Sequence, residues 1–492
     1  MSEHPVPSST TAASLQEVVG GADGAHAPSR PVTAGSAWAG WWTPVRVLLA
    51  LVTVVFMLSV IRQAPCVNSD WSSNAVRYSK MCYSDIPYLY TGRGLAERTW
   101  PYADTQGRYE AMEYPVGISY FAWGAALVTE LFATGPPAAE RAAADPGALW
   151  GMPGMIAETN RYFFITAIGL FICLLLTTWL LATAIPGRPW VALPFVLSPA
   201  LLLNSLVNWD LLALVFVAGA IWAWHRGATS GDQTRWALVA GVMVGLGTAV
   251  KLYPLFILGA FLIVAIRRRE WMRFLLAVLA AIGAWLLANL PALVSGPEQW
   301  KVFWKFNSER AADLGSIWFV LQDRGHPNPV ETINNVSWAF FGAACLAIFV
   351  LGLMTKRIPR VDQLAFLIVA SFLLINKVYS PQYVLWLLPL AVLARRNWRD
   401  LLIWQAGEIF YFAMVWFYLG GWIAPAGGTG TPAYQLAIVL RLAAEIYLMV
   451  MVVRDMVRDD PSVEADPVEA GGGVSDPSGE LVADRDRLVT AS

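Results

Sequence analysis

The first hydrophobic run of the chain is followed by Ser84-Asp85-Ile86-Pro87-Tyr88-Leu89-Tyr90, a carboxylate set among aromatic residues with Arg93 close behind. Farther along, polar residues recur where apolar runs end: Asn204, Asn208 and Asp210; Lys251 with Tyr253-Pro254; and Lys377 with Tyr379-Ser380-Pro381-Gln382-Tyr383. Such groups are costly at the ends of membrane helices unless they line a wet cavity or meet a partner. As a set sharing one face they point to a polar cavity open to the bilayer; singly, either lysine could snorkel to the headgroups. Lysine offers a point charge and arginine a planar fork to phosphate oxygens. Lys251, Lys377, Arg93 and Arg310 are therefore the candidates for holding a lipid phosphate whose tail stays in the membrane. Sugars ask for aromatic faces and fixed polar partners, which Tyr88, Glu113, Asn208, Asp210, Tyr253, Trp304, Gln382 and Tyr383 could provide.

Glycosyl transfer from a lipid phosphate needs little machinery. The leaving group departs as an anion without a general acid, so one base for the acceptor hydroxyl is enough. Asp85 has the best context for it; Asp104, Glu110 and Glu113 are weaker candidates, and Glu113 could instead fix the start of the helix after Tyr114-Pro115. The plain alternative is that Asp85 caps an amphipathic helix in a loop. No Gly-rich phosphate loop occurs in a strand-to-helix context. The four histidines are scattered and no His/Cys spacing resembles a zinc site, so neither cofactor nor metal is expected.

The elements that must position these residues are membrane helices. With 57% hydrophobic residues, 14% charged and 24 tryptophans, the composition belongs to an all-α polytopic membrane protein. A net charge of -1 leaves no clustered excess of Lys and Arg for a nucleic-acid partner. Spans need roughly 20 apolar residues; the first runs over about 42–61, and later apolar segments extend to about 453. Basic clusters at 267–273, 356–360, 395–399 and 454–458 mark cytoplasmic turns by the positive-inside rule. Their parity predicts about twelve crossings with both termini cytoplasmic. It makes 62–160 one long external loop in which the apolar segment 114–134 dips in or lies along the interface. A second external loop covers 294–334. Residues 1–40 and 457–492 are expected to be disordered cytoplasmic tails flanking a membrane domain at 41–456. Cys66 and Cys82 share the first external loop, where an oxidising compartment would let them pair.

Taken together, the first-loop aspartate with its aromatic helix, Tyr114-Pro115, Ser198-Pro199 ahead of Asn208-Trp209-Asp210, Lys251-Leu252-Tyr253-Pro254, and Ser380-Pro381-Gln382-Tyr383 through Trp386-Leu387-Leu388-Pro389 resemble the GT-C integral membrane glycosyltransferases. The pattern is most similar to glycosyltransferase family 87, the polyprenyl-phosphate-mannose-dependent mannosyltransferases of actinobacteria, over about residues 40–455. The resemblance implies an inverting transferase in the plasma membrane. It would use a polyprenyl-phosphate sugar, usually mannose, on the outer face, and an envelope glycolipid or glycan as acceptor. It also implies Asp85 as general base and Lys251 and Lys377 near the donor phosphate. Two elements depart from the family pattern: its usual Tyr-Pro-Pro is here Tyr114-Pro115-Val116, and its usual Gly-Gln-x-Asn is Val207-Asn208-Trp209-Asp210. Two other classes remain open on the residues alone, a flippase for a lipid-linked sugar and a non-catalytic scaffold. The flippase is disfavoured because polar groups gather at one set of helix ends and no inverted repeat is found.

Overall fold

A computed structural model describes residues 41–423 and 430–458; the expected N-terminal tail and nearly all of the C-terminal one lie outside them. Among the described residues every regular element is helical. The principal helices are α1 (Pro44–Arg62), α2 (Asp85–Gly92), α3 (Val116–Glu130), α4 (Met155–Ala184), α5 (Pro199–Asn204), α6 (Leu211–Thr229), α7 (Gln233–Val250) and α8 (Ile257–Arg268). They continue with α9 (Trp271–Ser295), α10 (Pro297–Glu309), α11 (Val330–Met354), α12 (Val361–Ile375), α13 (Val384–Ala394), α14 (Trp398–Leu419) and α15 (Pro432–Val457). Among the described residues seven stretches are long and apolar enough to cross a bilayer: α1 with its continuation to Asn68, α4, α6, α9, α11, α14 and α15. The chain is thus a multi-pass membrane protein.

The remaining apolar segments are shorter than a simple span. The one expected at 189–204 is cut into a 3-10 turn at Pro189–Ala192, a turn at Leu193–Val196, and α5. A proline stands at the first or second position of each piece. Proline lacks the N–H that a helix interior requires but fits its first turn, so three prolines make three helix starts.

The helices run between two ends of different chemistry. At one end the expected cytoplasmic arginines cap neighbouring helices. Arg267 donates to the carbonyls of Gly352 and Thr355 at 2.8 Å each, and Arg360 to those of Leu393 and Ala394 at 3.1 and 2.8 Å. The last carbonyls of a helix have no intrahelical donor and carry the negative end of its dipole, so a guanidinium there serves both needs.

At the other end, Ser59 of α1 donates to the Leu202 carbonyl at 2.8 Å and Arg62 to Leu203 at 2.8 Å, which brings the end of α5 against the end of α1. The long loop that follows is a folded element of its own. A Cys66–Cys82 disulfide closes its first turn. Deeper in it, Arg141 and Glu158 form a buried pair at 2.6 Å, and the Tyr90 hydroxyl donates to the same carboxylate at 2.6 Å, tying α2 to the start of α4. Helix α3 begins at Val116, just after Tyr114 and the N-cap Pro115, and the carbonyl of Phe132, just past its end, accepts a hydrogen bond from Arg161 in the first turns of α4.

Candidate functional site

At this second end a cavity of about 580 Å³ opens, lined from the α1–α4 loop, the α5–α6 and α7–α8 connections, α10, α11 and the segment between α12 and α13. Asp85 reaches it from the first position of α2. The helix cap is Ser84, whose Oγ accepts the Ile86 N–H, so the aspartate is not needed for capping. The backbone N–H of Asp85 donates to the Val207 carbonyl at 2.8 Å, docking α2 on the α5–α6 connection. Its carboxylate accepts the Tyr83 hydroxyl at 2.8 Å and the Tyr114 hydroxyl at 2.9 Å, one on each oxygen. Burial pushes its pKa above the ordinary carboxylate value, against the opposing pull of the two phenols and of Lys251, while Asp210 adds to the rise. A carboxylate so held can take a proton while keeping a fixed orientation.

Lys251 follows the last turn of α7 and turns into extended backbone, its N–H still bonded to the Gly247 carbonyl at 2.8 Å. Its ammonium is 2.9 Å from the buried Asp210 carboxylate and lies 4.7 Å from the centre of the Tyr114 ring. The other Asp210 oxygen accepts the Trp386 indole N–H at 2.9 Å. Trp386 in turn stacks on Tyr253 at 4.6 Å and on Tyr383 at 4.0 Å. Lys251 therefore pins this wall and its charge is matched by Asp210.

The facing wall is different. Lys377 donates to the Asn334 side-chain oxygen at 2.7 Å and to the Ser308 carbonyl at 3.3 Å, both neutral. Burial, with the charge of Arg310 second, lowers its pKa. Arg310 lines the same wall but is forked onto Asp313 at 3.0 and 2.6 Å. Beside them Trp304 and Phe306 of α10, Trp338 and Phe341 of α11, and Phe372 of α12 make an apolar flank.

Of the residues expected from sequence, the cavity gathers Asp85, Glu113, Asn208, Lys251, Tyr253, Trp304, Arg310, Lys377, Gln382 and Tyr383. Asp210 stands behind Lys251. Two residues are placed elsewhere. Arg93 is paired with Glu113 and, at 3.6 Å, with Glu110, so it holds a lining carboxylate instead of lining the cavity itself. Tyr88 donates to the Trp71 carbonyl at 2.6 Å and packs between Tyr83 and Trp150. Sequence reasoning missed Tyr83 and Asn334, which have no motif around them, and gave Tyr114 and Trp386 no role although both sit in its quoted elements.

The sequence model of glycosyltransferase family 87 matches residues 147–381. This match supports assigning the chain to glycosyltransferase family 87. Family 87 suggests a membrane glycosyltransferase, with sugar donor and acceptor as its substrates. The matched family 87 region contains Lys251, Arg310 and Lys377, while Asp85 and Tyr114 lie before it. A comparison with curated proteins finds no match.

Proposed function

We propose that the chain transfers a hexose, mannose by the family resemblance, from a polyprenyl phosphate to a hydroxyl of an envelope glycolipid or glycan. The observation that carries this reading is the division of one cavity: a carboxylate with fixed orientation on one wall, and on the other a lysine with only neutral partners beside an apolar flank. Lys377 meets the donor phosphate, and Arg310 adds positive potential next to it. Phe306, Trp338, Phe341 and Phe372 receive the first isoprene units. Asn208, Tyr253, Gln382 and Tyr383 are the polar and aromatic groups left for sugar hydroxyls and faces. In the reaction, Asp85 takes the acceptor hydroxyl proton as that oxygen bonds to the anomeric carbon. The bond from that carbon to the phosphate oxygen breaks, the electron pair leaves with the polyprenyl phosphate, and the centre inverts.

The orientation belongs to the same proposal. The Cys66–Cys82 disulfide favours an oxidising compartment for the Asp85 face, and the helix-capping arginines at the far end fit a cytoplasmic one. The shorter helices α7, α8, α12 and α13 and the proline-cut segment at 189–204 then join the seven long ones in about twelve crossings, with both termini inside the cell and the cavity facing out of the plasma membrane.

The test is direct: purified protein, polyprenyl-phosphate mannose and a membrane lipid extract should give a new mannosylated product. Asp85→Asn should lower turnover by roughly 10²- to 10⁴-fold at unchanged protein level. Full turnover by Asp85→Asn would remove the base from the mechanism.

A further inference from the structure

Inside the helix pair α14 and α15, away from the cavity lining, lie three fully buried ionisable side chains: Glu408, Arg441 and Glu445. Ionisable residues at membrane depth are expensive and persist where they have a task. Arg441 meets Glu445 one turn on at 2.8 Å. Besides Tyr411 of α14, it reaches the α10–α11 connection (310–329) and the α12–α13 connection (376–383). It donates to the Gly315 carbonyl at 3.3 Å and stacks its guanidinium 3.7 Å over the Tyr379 ring. Glu408 accepts the Tyr379 hydroxyl on both oxygens, at 3.0 and 2.9 Å, and Tyr411 donates to the Tyr379 carbonyl at 2.6 Å. Tyr379 is thus held by its ring, its hydroxyl and its backbone.

Tyr379 lies two residues from Lys377. The two connections pair with each other: the Asp313 N–H donates to the Lys377 carbonyl at 2.8 Å, and the Tyr379 N–H to the Leu314 carbonyl at 2.7 Å. Gly315, at φ +74°, lets them close up, because a Cβ there would stand 2.1 Å from the Tyr411 hydroxyl and 2.3 Å from the Tyr379 carbonyl oxygen. One face of this paired unit presents Lys377 and Arg310 to the cavity, and the opposite face rests on the buried charges.

We infer that Glu408 and Arg441, acting through Tyr379, are positioning residues that set where Lys377 and Arg310 stand for the donor phosphate. The inference rests on the transferase reading for the identity of that phosphate. None of the three touches the reacting atoms; they fix the height and spacing of the cations that do. A cation on an unpinned connection would visit many positions, and its phosphate contact would weaken without any change at Asp85.

The experiment measures binding of polyprenyl phosphate, without sugar, to the full chain in nanodiscs, alongside donor KM and kcat for transfer. Tyr379→Phe removes one hydroxyl and keeps the ring under Arg441. It should weaken polyprenyl phosphate binding and raise donor KM about tenfold, with kcat and acceptor KM within twofold of wild type. Glu408→Gln keeps an acceptor oxygen for Tyr379 and should restore near-normal affinity, whereas Glu408→Leu should behave like Tyr379→Phe. In a Lys377→Ala background the Tyr379→Phe effect should shrink to a small remainder, because only Arg310 is left to position. Additive losses in the double variant, or normal affinity in Tyr379→Phe, would overturn the inference while leaving the transferase reading intact. Wild-type protein that neither binds polyprenyl phosphate nor transfers sugar would overturn both.

Discussion

Two lysines with nearly the same sequence context line the one cavity. Lys251-Leu252-Tyr253 and Lys377-Val378-Tyr379 both end an apolar run and both carry a tyrosine two residues on and a proline soon after. Their surroundings differ in charge. Lys251 is closed on the buried carboxylate of Asp210, and its tyrosine stacks on Trp386 as part of the wall. Lys377 has only oxygens of an amide and a carbonyl, and its tyrosine is the one engaged by a carboxylate, Glu408. In the first pair the counter-charge neutralises the lysine; in the second it has moved one step back and holds the segment, leaving the lysine's charge for something that arrives. Local motif thus predicts that a lysine is at the cavity, while tertiary partners decide which lysine is neutralised by a carboxylate.

The strongest way to break this contrast is to delete each lysine. Lys251→Ala leaves the Asp210 carboxylate buried without its partner, a loss of about 3–5 kcal/mol, and should appear as a sharp fall in Tm and in the yield of folded protein. Adding Asp210→Asn should recover much of it. Lys377→Ala should keep normal Tm and raise donor KM by roughly 10- to 100-fold. A Lys251→Ala protein of normal stability that has lost donor affinity would reverse the assignment.

A smaller effect concerns pH at the Lys377 wall. Because burial and Arg310 depress the pKa of Lys377, its charge is present at low pH and lost as pH rises through that lowered value. Donor KM should therefore climb at a pH below that of an ordinary lysine, and Arg310→Gln should move the rise to higher pH. The smallest effect belongs to the opposite wall. In the proposed mechanism Asp85 serves as a base only when ionised, so activity should fall as pH drops through its raised pKa. Tyr83→Phe removes a hydrogen bond that favours the carboxylate and should shift the acid limb of kcat/KM to higher pH. A shift to lower pH would show that Tyr83 acts some other way.

The membrane class and most helix positions were legible because apolar runs of bilayer length leave few alternatives. The cavity was legible for a related reason: polar groups at helix ends are costly unless they converge, so Asp85, Asn208, Lys251, Lys377 and Gln382 could be read as one set. Pairing was not legible. Arg93 looks as free as Lys377 in the sequence, yet it closes on Glu113 through a contact twenty residues away. Tyr88 sits in the right motif but is spent on Trp71 and Trp150. Glu408, Arg441 and Glu445 were not legible because a single charge barely lowers the hydropathy of a long apolar run. Their importance comes from neighbours on other helices, which periodicity along one helix does not report.

Helix α10 adds a consequence for anyone handling this protein. It supplies Phe303, Trp304 and Phe306 to the cavity wall, yet not one of its residues is buried. An amphipathic helix with exposed Trp304 and Phe306, and with Lys301 and Lys305 also exposed, suits the plane of a lipid interface. In that setting part of the cavity wall would rest on lipid, and the bilayer would complete the site. Detergent that strips the annular lipid would loosen that wall while leaving the helix bundle folded, so thermal stability and substrate affinity can part company between one detergent and the next.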